Sequence, residues 1–248
     1  ANSLLNKLTL EKFEKLSEEF LTIGFDSAPL LAKAIDAIVD KAQSEVHFSS
    51  MYAELCVRLA RTPIAALGED GAGKGKKFKK MLLTRCQHEF EKDQGEVLKD
   101  LENLPPEQRE EQALVLRRKY VGHMHFIGEL FKVELVKDDI IHLCVQELFG
   151  DVDAPDEEQY VCLCKLVETV GKQLDANAAD DKAKFKLMKK YFKELAKLST
   201  SEKATPRIRF MILDLIEMRE CGWKARRETE KAKTIDEVGG SPSLSSST

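Results

Sequence analysis

Gly68-Glu-Asp-Gly-Ala-Gly73-Lys74 has the G-x-x-x-x-G-K spacing with which a glycine-rich loop cradles nucleotide phosphates on its backbone N–H groups. A Ser or Thr must follow the lysine to hold magnesium, and Gly75 stands there instead. The loop also follows a helical pattern, whereas a phosphate loop needs a preceding strand to aim it. The match is chance in a loop rich in glycine and lysine. Histidines 47, 88, 123, 125 and 142 form no metal-ligand spacing. Cys162-Leu-Cys164 places two thiols about 200° apart on a helix, and no further ligand lies near them. No serine or cysteine sits in a nucleophile elbow or triad context. The sequence points to no catalysis, no cofactor and no resident metal.

Basic side chains are the remaining candidates for chemistry. Lys74, Lys76, Lys77, Lys79 and Lys80 crowd a loop and the start of the helix after it, where cations oppose the helix macrodipole. Arg117-Arg118-Lys119 precede the most apolar stretch of the chain, and Arg226-Arg227 follow Trp223. Such clusters are either solubilising surface or salt-sensitive contacts to RNA phosphates. Aromatic residues are sparse among them, so base stacking is not expected.

All of these side chains must be carried by helices. No segment alternates with β-branched enrichment as a strand does. Apolar residues recur instead at three- and four-residue spacing. The spacing predicts helices over about 9–23, from Asp26 or Ser27 to about 42, over 49–61, and from the lysine cluster to about 92. Further helices are expected from Pro105 into the central stretch Gly122–Val136, then over 138–149, 156–174, 180–198 and 206–219. Thr205-Pro206 reads as an N-cap followed by proline at the first helical position. Residues 94–104 read as a short helix or loop. Gly122 and Gly128 interrupt the apolar run of the central stretch at about 1 kcal/mol each, which implies close backbone packing there.

The chain has 248 residues, 43% hydrophobic and 33% charged, enough for a sizeable core. Its formal charge of −4 does not exclude nucleic acid, because the cations are clustered. No run approaches the apolar length of a membrane helix, and the N-terminus has neither a signal-peptide core nor an initiator Met, as in a fragment of a longer chain. Six cysteines sit singly among apolar helical residues, which reads as buried reduced thiols in a reducing compartment. Helix pairs of about 40 residues fit the period of a HEAT-type solenoid, an all-α stack of about five antiparallel pairs. Residues 1–238 read as one domain, and 239–248 as a disordered tail or linker.

Several stretches together resemble one family. SLLNKLTLEKF (Ser3–Phe13), MYAELC (Met51–Cys56), RCQHEFEKD (Arg85–Asp93) and FIGELFK (Phe126–Lys132) are followed in order by CLCKLVETVGKQLD (Cys162–Asp175), PRIRFMILDLIEMR (Pro206–Arg219) and KTIDEV (Lys233–Val238). This pattern resembles the middle domain of eukaryotic translation initiation factor 4 gamma or of its shorter isoform. The resemblance implies five HEAT-like helix pairs in a crescent. It also implies a cytoplasmic, non-catalytic scaffold in cap-dependent initiation that binds mRNA and a DEAD-box RNA helicase, initiation factor 4 alpha. Related HEAT adaptors of nuclear cap binding and RNA decay share the architecture and form the alternative. Carried onto this chain, the helicase contacts fall at LLNKLT (Leu4–Thr9) and RIRF (Arg207–Phe210). Asn6 and Lys7 are expected at the interface, with Leu5, Leu8 and Phe13 in the core. Arg207 and Arg209, alternating with Ile208 and Phe210, are expected to reach outward. The family's tryptophan-containing and cap-binding-protein motifs lie upstream and are not in this sequence. Assembly with the cap-binding protein is therefore expected only through flanking segments.

Overall fold

The computed structural model describes residues 2–22, 25, 27–62, 75–92 and 99–224, and its described elements are helices and turns. The helices are α1 (Asn2–Leu5), α2 (Phe13–Thr22), α3 (Ala28–Ser44), α4 (Ser49–Arg61), α5 (Lys76–Phe90), α6 (Pro106–Lys132), α7 (Asp138–Phe149), α8 (Glu157–Ala178), α9 (Lys182–Ser199) and α10 (Pro206–Glu220). Short 3-10 turns occupy Leu10–Lys12, Val46–Phe48 and Asp100–Asn103. The even-numbered helices from α2 to α10 pack in succession as one layer. Helices α3, α5, α7 and α9 cover it as a second layer, α9 resting on α8 and α10. This is a HEAT-type stack of antiparallel helix pairs. The Lys233–Val238 stretch, part of the family resemblance, lies outside the described residues.

Local chemistry sets the helix boundaries. The Ser27 hydroxyl accepts from the Leu30 N–H at 3.3 Å, and Asp156 accepts from the Gln159 N–H at 2.8 Å. Thr205 caps α10 as its sequence implies, with Pro206 in the first turn. The cap of α9 is Asp181, one residue later than the spacing suggests, and its carboxylate accepts from Ala183 and Lys184. The first helix differs more: Lys12 N–H bonds Thr9 O at 3.1 Å in a 3-10 turn, and regular helix begins only at Phe13. The central helix stops at Lys132, short of Val136. Glu134 takes a left-handed φ of 62°, and the Leu135 N–H returns to Leu130 O at 2.9 Å, closing a Schellman turn.

The central stretch packs as its glycines imply. A Cβ on Gly122 would lie 2.1 Å from Gln43 O, so the α6 backbone rests on the last turn of α3. A Cβ on Gly128 would lie 2.7 Å from the Thr169 Cγ2 methyl of α8. Helix α6 is thus wedged between α3 and α8 at closer range than any side chain allows. His123, fully buried beside Gly122, donates from Nε2 to Cys86 O at 2.9 Å and accepts at Nδ1 from the Gln43 amide at 3.0 Å. One imidazole therefore ties α6 to α5 and α3. At the other end, Arg219 grips both oxygens of Asp175 at 2.7 and 2.8 Å, and the Trp223 indole N–H donates to the same carboxylate at 2.9 Å. Trp223 meets Phe192 edge-on, so α8, α9 and α10 are locked together.

Cys56, Cys86, Cys144, Cys162 and Cys164 are buried free thiols, and burial pushes Cys86, Cys162 and Cys164 up to about 12. Cys221 departs from the reading of six buried thiols: it is exposed, because it follows the last turn of α10 instead of lying within it. Phe131 and Leu130 lie in the core.

Two outcomes follow from this packing. Gly122→Ala should destabilise the fold by about 3 kcal/mol, since its Cβ meets backbone that cannot yield, and Gly128→Ala by less, since a threonine methyl can shift. Urea unfolding of both variants checks the order. Burial lowers His123 to about 4, against about 6.5 in an unfolded chain. The unfolded chain therefore takes up the proton first, so stability is full above about pH 6.5 and falls as pH drops from there towards 4. The loss should be about 2 kcal/mol between pH 7.5 and pH 5. His125 and His142, also lowered by burial, add in the same direction. Urea titrations of the parent at the two pH values, beside His123→Gln, should show a weaker pH dependence in the variant.

Candidate functional site

The N-terminal edge is built on a turn. Leu5 and Leu8 point into the core, and the Leu8 N–H bonds Leu5 O at 3.2 Å, which leaves Asn6 and Lys7 exposed between them. Phe13 is buried as well. Helix α1 packs on α3, and Asn6 lies at the lip of a shallow trough with Leu30, Lys33, Ala37 and Asp40. The arrangement suits a polar contact over a partly apolar floor, because Leu30 is itself exposed.

The far edge departs from the expectation in one respect. Alternation of Arg207 and Arg209 with Ile208 and Phe210 is a strand period, and these residues lie on helix α10. Ile208, Ile212 and Leu215 share its buried face at helical spacing. Phe210, two residues from Ile208, is turned outward and is 68% exposed, while Arg209 is half-buried. Arg207 is exposed and pairs with Glu157 at 3.1 Å. Leu213 lies one turn beyond Phe210 and is 46% exposed. The far edge therefore exposes an aromatic and an aliphatic side chain beside a cation. Sequence reasoning missed Phe210 and Leu213. The 3.6-residue period, anchored on Ile208 and Ile212, would have found them.

The basic clusters divide. Lys76, Lys77 and Lys80 are exposed on the first turns of α5, whereas Lys79 is half-buried and donates to Glu134 O at 3.3 Å. Lys74, Arg226 and Arg227 lie outside the described residues, as does most of the glycine loop. The element before that loop is the helix α4. Arg117, Arg118 and Lys119 are exposed on α6 and face a groove of about 1250 Å³ shared with the end of α3 and the start of α8. Arg207 and Lys165 line the same groove. Two groups read separately from the sequence thus meet in space. Glu158 pairs with Arg117 and Glu157 with Arg207, so part of the positive charge is already compensated. Among the described residues no cluster of three or more His, Cys, Asp or Glu could hold a metal ion.

These features define an all-α solenoid with exposed edges and charged grooves. The chain belongs to the MIF4G domain family, whose model matches residues 1–222. It is 38% identical over 243 residues to eukaryotic translation initiation factor 4G of Arabidopsis thaliana, covering 95% of this chain and 14% of that protein. Identity is 38% over 252 residues with human eukaryotic translation initiation factor 4 gamma 3, covering 95% of this chain and 15% of the relative. With human eukaryotic translation initiation factor 4 gamma 2 it is 37% over 248 residues, covering 95% and 27%. The chain therefore spans well under a third of each of these relatives, and the resemblance carried by its motifs holds across nearly all of it.

The exposure pattern of α10 has a direct thermodynamic test. Phe210→Ser and Leu213→Ser should each change stability by no more than about 0.5 kcal/mol, and Ile208→Ala should cost about 2–4 kcal/mol. Thermal or urea unfolding of the three variants distinguishes this placement from one with Phe210 in the core.

Proposed function

We propose that the chain is a non-catalytic scaffold domain of cap-dependent translation initiation that binds and stimulates a DEAD-box RNA helicase, initiation factor 4 alpha, and contacts mRNA. The observation that carries the reading is the pairing of its family, matched over 1–222, with exposed side chains at both ends of one helical stack. Asn6 and Lys7 stand at the first end, and Arg207, Phe210 and Leu213 at the last, with Arg209 half-buried beside them. A two-lobed helicase moves between open and closed forms. A stack that holds one lobe at each end favours the intermediate geometry to which it fits, and so speeds turnover without doing chemistry. Nearest-neighbour packing suits the stack to this, because each repeat fixes the position of the next.

RNA contact is assigned to Lys76, Lys77, Lys79 and Lys80 on α5 and to Arg117, Arg118 and Lys119 in the groove, with Lys74, Arg226 and Arg227 as further candidates from the sequence. Residues 1–238 are taken as the single domain and 239–248 as a tail, and the site of action as the cytoplasm. The cap-binding protein joins through flanking segments of the larger factor. No described helix is long and apolar enough to cross a membrane.

RNA-dependent ATPase activity of the initiation helicase, measured with and without the domain, tests the reading. The domain should raise the activity and hydrolyse no ATP alone. Phe210→Ser/Leu213→Ser and Asn6→Ala/Lys7→Ala should fold as the parent and weaken helicase binding by about tenfold each. Absence of both stimulation and binding would overturn the helicase reading, and ATP hydrolysis by the domain alone would overturn the non-catalytic one.

A further inference from the structure

Helix α9 carries Lys182, Lys184, Lys186, Lys189, Lys190, Lys193 and Lys197 against a single glutamate, Glu194, in a chain whose formal net charge is −4. On a wheel of 3.6 residues per turn, all of these lysines except Lys184 fall within an arc of about 100°. Those six are exposed. Lys184 lies off the arc and pairs with Asp138 at 2.7 Å. Met188, Tyr191, Phe192, Leu195 and Leu198 occupy the opposite face, buried where α9 packs on α8 and α10. Lys197 pairs with Glu194 at 2.9 Å, and Lys182, Lys186, Lys189, Lys190 and Lys193 form no ion pair among the described residues. Phe185 flanks the stripe and is 54% exposed.

Local stability opposes this arrangement. Like charges three and four residues apart repel on a helix, and cations in the first turns oppose the macrodipole. The packing of the other face holds the helix in spite of both. A row that repeats a cation about every 5.4 Å matches a polymer of regularly spaced monoanions. A lipid surface fits less well, because a membrane-lying helix inserts its apolar face and that of α9 is already buried in the protein.

We propose that the lysine face of α9 is an RNA-backbone-binding surface, which grips phosphates without reading base sequence and offers Phe185 as a stacking platform at its edge. This rests on the RNA-contact part of the function proposed above and adds a surface to it, on a helix distinct from α5 and α6.

The test is titration of a fluorescein-labelled oligouridylate with the full chain at several KCl concentrations. Lys186→Gln/Lys189→Gln/Lys193→Gln is compared with Arg117→Gln/Arg118→Gln/Lys119→Gln, and circular dichroism confirms that both fold. The α9 variant should bind about tenfold or more weakly, with the slope of log K against log salt reduced by about 2, since each phosphate contact on a single strand contributes about 0.7. Phe185→Ala should weaken binding with the slope unchanged. If the parent binds no RNA, the underlying RNA reading fails and this surface with it. If the parent binds and the α9 variant keeps its affinity and slope while the Arg117 variant loses them, the RNA reading stands and the α9 assignment is overturned. Tighter binding to phosphatidylserine vesicles or polyglutamate than to oligouridylate, lost in the α9 variant, would overturn RNA as the occupant.

Discussion

The α6 backbone lies directly on the last turn of α3, and the rest of the stack is registered from that contact. At Gly122 nothing larger than hydrogen fits against Gln43 O. The next residue, His123, reaches the Gln43 side chain on one nitrogen and Cys86 O on the other. Apolar side chains can slide by fractions of an ångström, but two directional bonds from one buried imidazole fix both distance and rotation. Burial keeps that imidazole neutral, which is the tautomeric form able to donate on one side and accept on the other. Helix α6 in turn carries α8, through Gly128 and Thr169, and α8 carries α9 and α10.

The C-terminal edge is oriented by a second polar junction. Asp175 gathers Arg219 and the Trp223 indole, and Arg219 also lies over the Phe192 ring at 4.1 Å. The rotation of α10 about its axis is set there. Ile208, Ile212 and Leu215 must then face α8 and α9, and Phe210 and Leu213 must face away. An exposed aromatic and aliphatic pair at the end of the stack is a consequence of how the core is tied, about two turns away along the same helix.

Charge is distributed with the same logic. Carboxylates sit where they neutralise cations between neighbouring helices, as Glu157 and Glu158 do in the groove and Asp138 does beneath α9. The exposed pairs of the groove contribute little stability, about 0–1 kcal/mol each, but they set the local field. Five of the six outer lysines of α9 form no ion pair among the described residues, which concentrates positive charge on one face of a mildly acidic chain.

Helix identity was legible from the residues because apolar spacing, proline and capping side chains act locally. Ser49–Arg61 and Asp138–Phe149 coincide with their expected spans, and Ser27 and Thr205 cap as their side-chain chemistry dictates. The glycines of the central stretch announced a close approach, but not that Gln43 and Thr169 would be on the other side of it. The sequence by itself determined the all-α class, the family, the core character of Leu5, Leu8 and Phe13, and the exposure of Asn6, Lys7 and Arg207. Only the tertiary structure decided that Arg207 joins Arg117–Lys119 in one groove, and that Lys182, Lys186, Lys189, Lys190 and Lys193 of α9 form no ion pair among the described residues. A periodic pattern states which side of a helix is buried, whereas contacts between residues tens of positions apart depend on how whole helices are rotated and stacked.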